Sequence, residues 1–209
     1  MIPISPMAPV NPLQPTIGTP SAWVQRFAGL IKPSGVVLDL ACGSGRHARW
    51  LAAQGFDVLG VDHDPAALAS LAGVVPTLQT DVESGPWPLV GRLFDGIVIT
   101  NYLWRPLTAQ VLSALAPGGV LIHETFAHGQ QTIGKPSRPD FLLQPGELLQ
   151  ICAGLRVVAF EDGFESEPAR FVQRIAAVAT DAAATPSHAD TPIPSYPRYA
   201  LQAAAVPAR

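Results

Sequence analysis

Residues 38–51 read "LDLACGSGRHARWL". An apolar run carries one acid, Asp39, turns at Gly43 and Gly45, and resumes with helical spacing. A glycine pair lets the backbone approach a ligand with no Cβ between them, and a helix starting there aims its unpaired N–H groups at whatever lies above. The stretch therefore reads as a strand, a ligand cradle and a helix in succession.

The flanking sequence repeats that alternation. "GVVLDL" leads into the cradle and "RHARWLAAQG" leaves it as a helix closed by Gly55. "FDVLGVD" is the next strand, and "PAALASLAG" is a helix with Pro65 at its first position. "PTLQTD", "FDGIVIT" and "GVLIHETF" come next as strands, with "PLTAQVLSAL" a helix between the last two. Strands alternating with helices predict an α/β, doubly wound, mostly parallel sheet covered on both faces. After the helix "PGELLQICAG", "LRVVAFED" and "ARFVQRIAAVAT" are separated by a short turn, which predicts an antiparallel hairpin at one edge of what becomes a seven-stranded sheet.

Composition narrows the function. The chain has 209 residues, 48% of them hydrophobic, and only 14% charged with a formal net charge of -3. No basic stripe exists for a phosphate backbone, so nucleic acid is not an expected partner. Cys42 and Cys152 are too far apart for a metal-ligand spacing and too few for a disulfide framework, which fits a reducing, cytoplasmic setting and a site without metal. No apolar run reaches the roughly 20 residues of a membrane helix.

Two ends frame the domain of residues 21–180. In the N-terminal arm, residues 1–20, prolines recur at 3, 6, 9, 12 and 15, the period of a polyproline II helix, which sets Ile4, Met7, Val10 and Leu13 on a second ridge. That ridge is expected to dock on the domain or on a twin subunit as a homodimer contact, although a disordered arm has the same composition. Residues 181–209 are an Ala/Pro-rich tail with no assigned chemistry.

In an open α/β sheet the ligand sits beyond the carboxyl ends of the strands where strand order reverses, which gathers Asp39 to Gly45, Asp62 with His63, and Thr80 with Asp81 around one crevice. "GSGRHA" fits G-x-G-x-x-A, and Asp62 lies beyond Gly43 by 62 − 43 = 19 positions, near the spacing of an acid that holds a ribose. A nicotinamide enzyme fits that pattern equally well. Asp39 separates the two, because a carboxylate before the glycine turn repels a pyrophosphate and attracts an ammonium or sulfonium.

Here the residues resemble the class I S-adenosylmethionine-dependent methyltransferases, a Rossmann-like family. Its motifs are similar, in order, to "VLDLACGSG", "VLGVDHDPAAL", "TDVES", "FDGIVITN" and "LAPGGVLIHE". The "ETFAHG … GKPSRPDFLLQPGEL" region is similar to a small bacterial branch near the tellurite-resistance type. The resemblance implies S-adenosylmethionine as cofactor, with Asp39 supporting its amino group, the backbone from Ala41 to Gly45 curving beneath it, Asp62 on the ribose, Asp81 near the adenine amino group and Val82 flanking the ring. His63 and Asn101 complete the expected cofactor set.

The acceptor, expected to be a small molecule, would enter beyond the fourth and fifth strands. Tyr102 and Phe126 are the candidate walls there, and Glu124 or His128 the candidate general base. Glu124 could instead pair with Arg105, and His47 reads as a packing residue. Residues 127–143, with Lys135 and Arg138, read as a mobile cover. A non-catalytic S-adenosylmethionine binder and an NAD(P)-dependent oxidoreductase are the alternatives. The latter lacks an evident Tyr/Lys or His/Asp pair.

Overall fold

The computed structural model describes residues 18–180. The proline ridge of the arm and the tail lie outside the described residues. In chain order the elements are α1 (Ala22–Phe27), β1 (Val36–Leu40), α2 (Arg46–Ala53), β2 (Asp57–Asp62), α3 (Pro65–Ala69), β3 (Thr77–Gln79), β4 (Phe94–Thr100), α4 (Thr108–Ser113), β5 (Leu115–Phe126), α5 (Glu147–Ile151), β6 (Arg156–Ser166) and β7 (Ala169–Val178).

The strands form one sheet in the order β3-β2-β1-β4-β5-β7-β6. β1 pairs in parallel with β2 and β4, and only β7 runs against its neighbours. This is the expected seven-stranded sheet with an antiparallel edge. Because side chains alternate across a strand, consecutive residues feed opposite cores. Val37, Val98 and Ile122 pack under α1, α2 and α3, while Leu38, Ile97 and Leu121 pack under α4 and α5. The central strands β1, β2 and β4 are buried on both faces, as parallel pairing demands, while the edge strands β3 and β6 stay largely exposed.

Helix starts obey local chemistry. Ser21 caps α1 by accepting from the Trp23 N–H at 3.1 Å, and Asp64 caps α3 from the Ala66 N–H with Pro65 behind it. α2 begins differently: its N-cap is Gly45, in the left-handed region at φ 78°, which has no side chain to offer. The Asp39 carboxylate reaches over from β1 and accepts the Ala48 N–H at 2.9 Å instead. One acid on the first strand therefore fixes where the glycine turn becomes a helix.

Candidate functional site

Strand order reverses between β1 and β4, and the cavity lies on the β1–β2–β3 side of that point, beyond the carboxyl ends of these strands. It is about 170 Å³ and is lined by Leu40, Ala41, Val61, Asp62, His63, Thr80, Asp81, Val82, Glu83 and Tyr102. Six of the residues nominated from sequence, Ala41, Asp62, His63, Asp81, Val82 and Tyr102, meet on this one wall. Glu83 was missed, although it stands in the same "TDVES" stretch.

The glycine turn is shaped for close approach. Gly43 has φ +53°, and a Cβ built there would find nothing within 4 Å, so the space above it belongs to no protein atom. Gly45 is glycine for another reason: a Cβ would collide with the Leu71 side chain. Ala41 holds φ 54° despite having a Cβ, a conformation costing about 1–2 kcal/mol for an L-residue, and it does so at the cavity wall. The Asp62 carboxylate steadies the turn by accepting the Gly43 N–H at 2.7 Å, and its second oxygen accepts the Asp64 N–H at 3.0 Å. His63 Nδ1 is 3.3 Å from the same oxygen. Asp81 is held by the Glu83 N–H and the Ser84 hydroxyl, the latter chiefly holding its carboxyl below the ordinary range.

Three sequence expectations change. Asp39 is buried behind the turn, 1% exposed, and is absent from the cavity wall. Burial pushes its carboxyl up to about 7 against the opposing pull of the Ala48 N–H and Arg46. Its observed contact is with α2. Asn101, at φ 54°, reverses the chain, stays exposed and lies off the wall, while Tyr102, nominated for the acceptor side, lines this cavity together with Asp62.

Glu124 is 1% exposed and sits 3.3 Å from both Arg170 and Arg174, because the β5–β7 register sets Arg174 directly across from it. Arg105, its expected alternative partner, instead grips Glu147 at 2.6 Å and donates to the Asp140 and Leu142 carbonyls. Residues 127–143 are pinned. Ala127 bridges Leu143, and the buried Gln130 accepts the Phe171 N–H while donating to the Lys135 carbonyl.

The charges of the cavity select its ligand. Asp62, Asp81 and Glu83 line it with His63 as the one lining residue able to become cationic, which disfavours a pyrophosphate. The Tyr102 hydroxyl is buried beside the Glu83 carboxylate. Burial and then that carboxylate hold its pKa above the ordinary phenol value, so it stays a protonated donor on the cavity wall. An uncharged ribose and purine with a cationic tail, entering over Gly43, fit this set.

Fold and site together define an α/β nucleoside-binding domain whose ligand carries positive charge. A family model described as "Methyltransferase domain" matches residues 16–140, and the chain belongs to this family of S-adenosylmethionine-dependent methyltransferases. Among solved structures, TehB from Haemophilus influenzae aligns with a TM-score of 0.61 at 20% identity, over 73% of this chain and 60% of TehB. The chain thus spans less than two thirds of TehB. A methyltransferase from Archaeoglobus fulgidus aligns with a TM-score of 0.60 at 17% identity, over 75% of this chain and 91% of that one. The 1,6-didemethyltoxoflavin-N1-methyltransferase of Burkholderia thailandensis, solved with that compound and S-adenosylhomocysteine bound, gives 0.56 at 22% identity over 77% of each chain. Among curated proteins, 52 residues are 56% identical to Hemagglutinin 1 of Eikenella corrodens, a match that covers 25% of this chain and 17% of that protein.

Proposed function

We propose that the chain catalyses methyl transfer from S-adenosylmethionine to a small-molecule acceptor by in-line displacement. The observation that carries this reading is the cavity, lined by three carboxylates and the buried Tyr102 hydroxyl, with the open glycine turn at Gly43 tied to it through Asp62. Asp62 accepts from the ribose hydroxyls, a charge-assisted pair of hydrogen bonds that a neutral acceptor cannot match. Val82 and the Tyr102 ring enclose the adenine, with Asp81 and Glu83 at its polar edge. Ala41 and Gly43 admit the methionine arm, and Asp39 acts through α2 rather than by touching it.

The cofactor supplies a methyl group already activated on a sulfonium. The chain's own task is alignment and exclusion of water, and no nucleophilic side chain is needed. Glu124, nominated as a base, is locked between two arginines, so we assign it to the hairpin and leave the acceptor to arrive as a nucleophile at the open end beyond Gly43. A small acceptor agrees with the net charge of -3, which offers a nucleic acid no attraction.

The test is to incubate the full chain with S-adenosylmethionine and a panel of thiols, halides and small carboxylates, and to quantify S-adenosylhomocysteine by mass spectrometry. Product with at least one acceptor class is the expected result. Tight binding without product across the panel would favour the non-catalytic binder.

A further inference from the structure

His47 stands outside the cavity wall, yet its imidazole is 1% exposed and joins three elements. It lies on the first turn of α2, two residues past Gly45. Its Nε2 accepts the Ser21 N–H at 3.1 Å, where the chain enters α1. A backbone N–H can only donate, so Nε2 is the unprotonated nitrogen and Nδ1 carries the hydrogen. That Nδ1 sits 3.3 Å from the Thr100 hydroxyl oxygen, at the last residue of β4. Burial, with Arg46 beside it, lowers the imidazole to about 3, which keeps this neutral tautomer across the working pH range.

Thr100 matters because it is the last residue of β4, where the strand passes into the turn that makes the cavity wall. Asn101 then reverses the chain and Tyr102 becomes the wall itself. From the β5 side this turn is held by the Asn101 N–H donating to the Glu124 carbonyl at 2.9 Å and by His123 Nε2 at 3.1 Å from the Tyr102 carbonyl. From the α2 side its tie is His47. We propose that His47 is a positioning residue, whose bond to Thr100 sets the Tyr102 wall at a fixed distance from the glycine turn and so sets the affinity for the nucleoside. This rests on the cofactor reading above. A pocket is preorganised when the groups behind its walls are themselves hydrogen-bonded and packed.

Two conservative substitutions separate the two bonds of the imidazole. His47→Asn keeps a donor at the Nδ1 position for Thr100 and abandons Ser21, while His47→Gln keeps an acceptor near the Nε2 position for Ser21 and abandons Thr100. Thr100→Val removes the hydroxyl at nearly constant volume. Calorimetric titration with S-adenosylhomocysteine, well below each variant's melting temperature, reads affinity in the folded protein, whereas a purely structural role would move only the melting temperature.

His47→Asn is expected to bind within about threefold of the parent, and His47→Gln and Thr100→Val to bind about tenfold more weakly. Parent-like binding by Thr100→Val overturns the positioning role, as does Asn no better than Gln. If the unaltered chain itself fails to bind S-adenosylhomocysteine, the cofactor reading falls instead, so the two failures are distinguishable.

Discussion

The two ends of the sheet treat charge in opposite ways. At the tips of β1, β2 and β3, Asp62, Asp81 and Glu83 face a cavity with the Tyr102 hydroxyl on its wall. At the antiparallel edge, Glu124, Glu161 and Glu165 are interleaved with Arg170 and Arg174 at 2.5–3.5 Å. Both clusters are rich in carboxylates, but the hairpin answers them with arginines, whereas at the parallel end backbone N–H groups, the Ser84 hydroxyl and His63 do so. A carboxylate held mainly by neutral donors keeps its negative charge for a cationic ligand. The proposed function therefore assigns binding to the parallel end and support of the sheet to the hairpin.

Substitutions at the two ends should therefore separate binding from stability. The largest expected effect is at Gly43, where valine would place a branched side chain at φ +53° in the space above the turn. S-adenosylhomocysteine binding should vanish in calorimetry while circular dichroism retains the folded signature. Global unfolding would instead make Gly43 a fold requirement. At the other end, Glu124→Ala removes the buried anion shared by Arg170 and Arg174 but leaves them paired with Glu165 and Glu161. Chemical denaturation should register about 1–3 kcal/mol of lost stability, below that of an uncompensated buried charge, with cofactor affinity unchanged. A change in affinity as large as the change in stability would erase the contrast.

Smaller effects sharpen it. Tyr102→Phe removes only the hydroxyl beside Glu83. The free protein should change by no more than about 1 kcal/mol by denaturation, and the ligand should lose about 1 kcal/mol of binding, the worth of one hydrogen bond. Asp39 and His47 provide a pH signature. The Asp39 carboxyl is raised from 3.8 to about 7, so the fold prefers it protonated, and this contribution is complete below about pH 4 and is lost as pH rises through 7. His47 is lowered from 6.5 to about 3, so its contribution is complete above pH 6.5 and is lost as pH falls towards 3. The melting-temperature advantage of the parent over Asp39→Asn should therefore shrink between pH 5 and pH 8. An advantage that grows over that range would reverse the assignment.

The parts of this molecule legible from sequence are those written locally. The glycine turn, the 19-residue spacing to Asp62 and the alternation of apolar strands and helices depend on neighbours in the chain. The residues misplaced by sequence depend on geometry that spacing does not encode. Tyr102 reaches the cavity wall beside Asp62 because one residue, Asn101, takes a positive φ. Glu124 meets Arg174 rather than Arg105 because the β5–β7 register, invisible in either strand alone, sets them opposite each other. Asp39 turns towards α2 because Gly45, required for its packing against Leu71, cannot cap its own helix. His47 reads from spacing as a packing residue and nothing more. Its two partners come from segments 26 and 53 residues away.

The acidic cavity is read as the seat of a nucleoside with a cationic tail, held through Asp62. Calorimetry of this chain against S-adenosylmethionine and, separately, NADH, repeated with Asp62→Ala, tests that reading directly. One S-adenosylmethionine site per chain is expected, with no heat from NADH and a loss of about 1.5–3 kcal/mol of binding on substitution of Asp62. Binding of NADH, or S-adenosylmethionine affinity indifferent to Asp62, would contradict it.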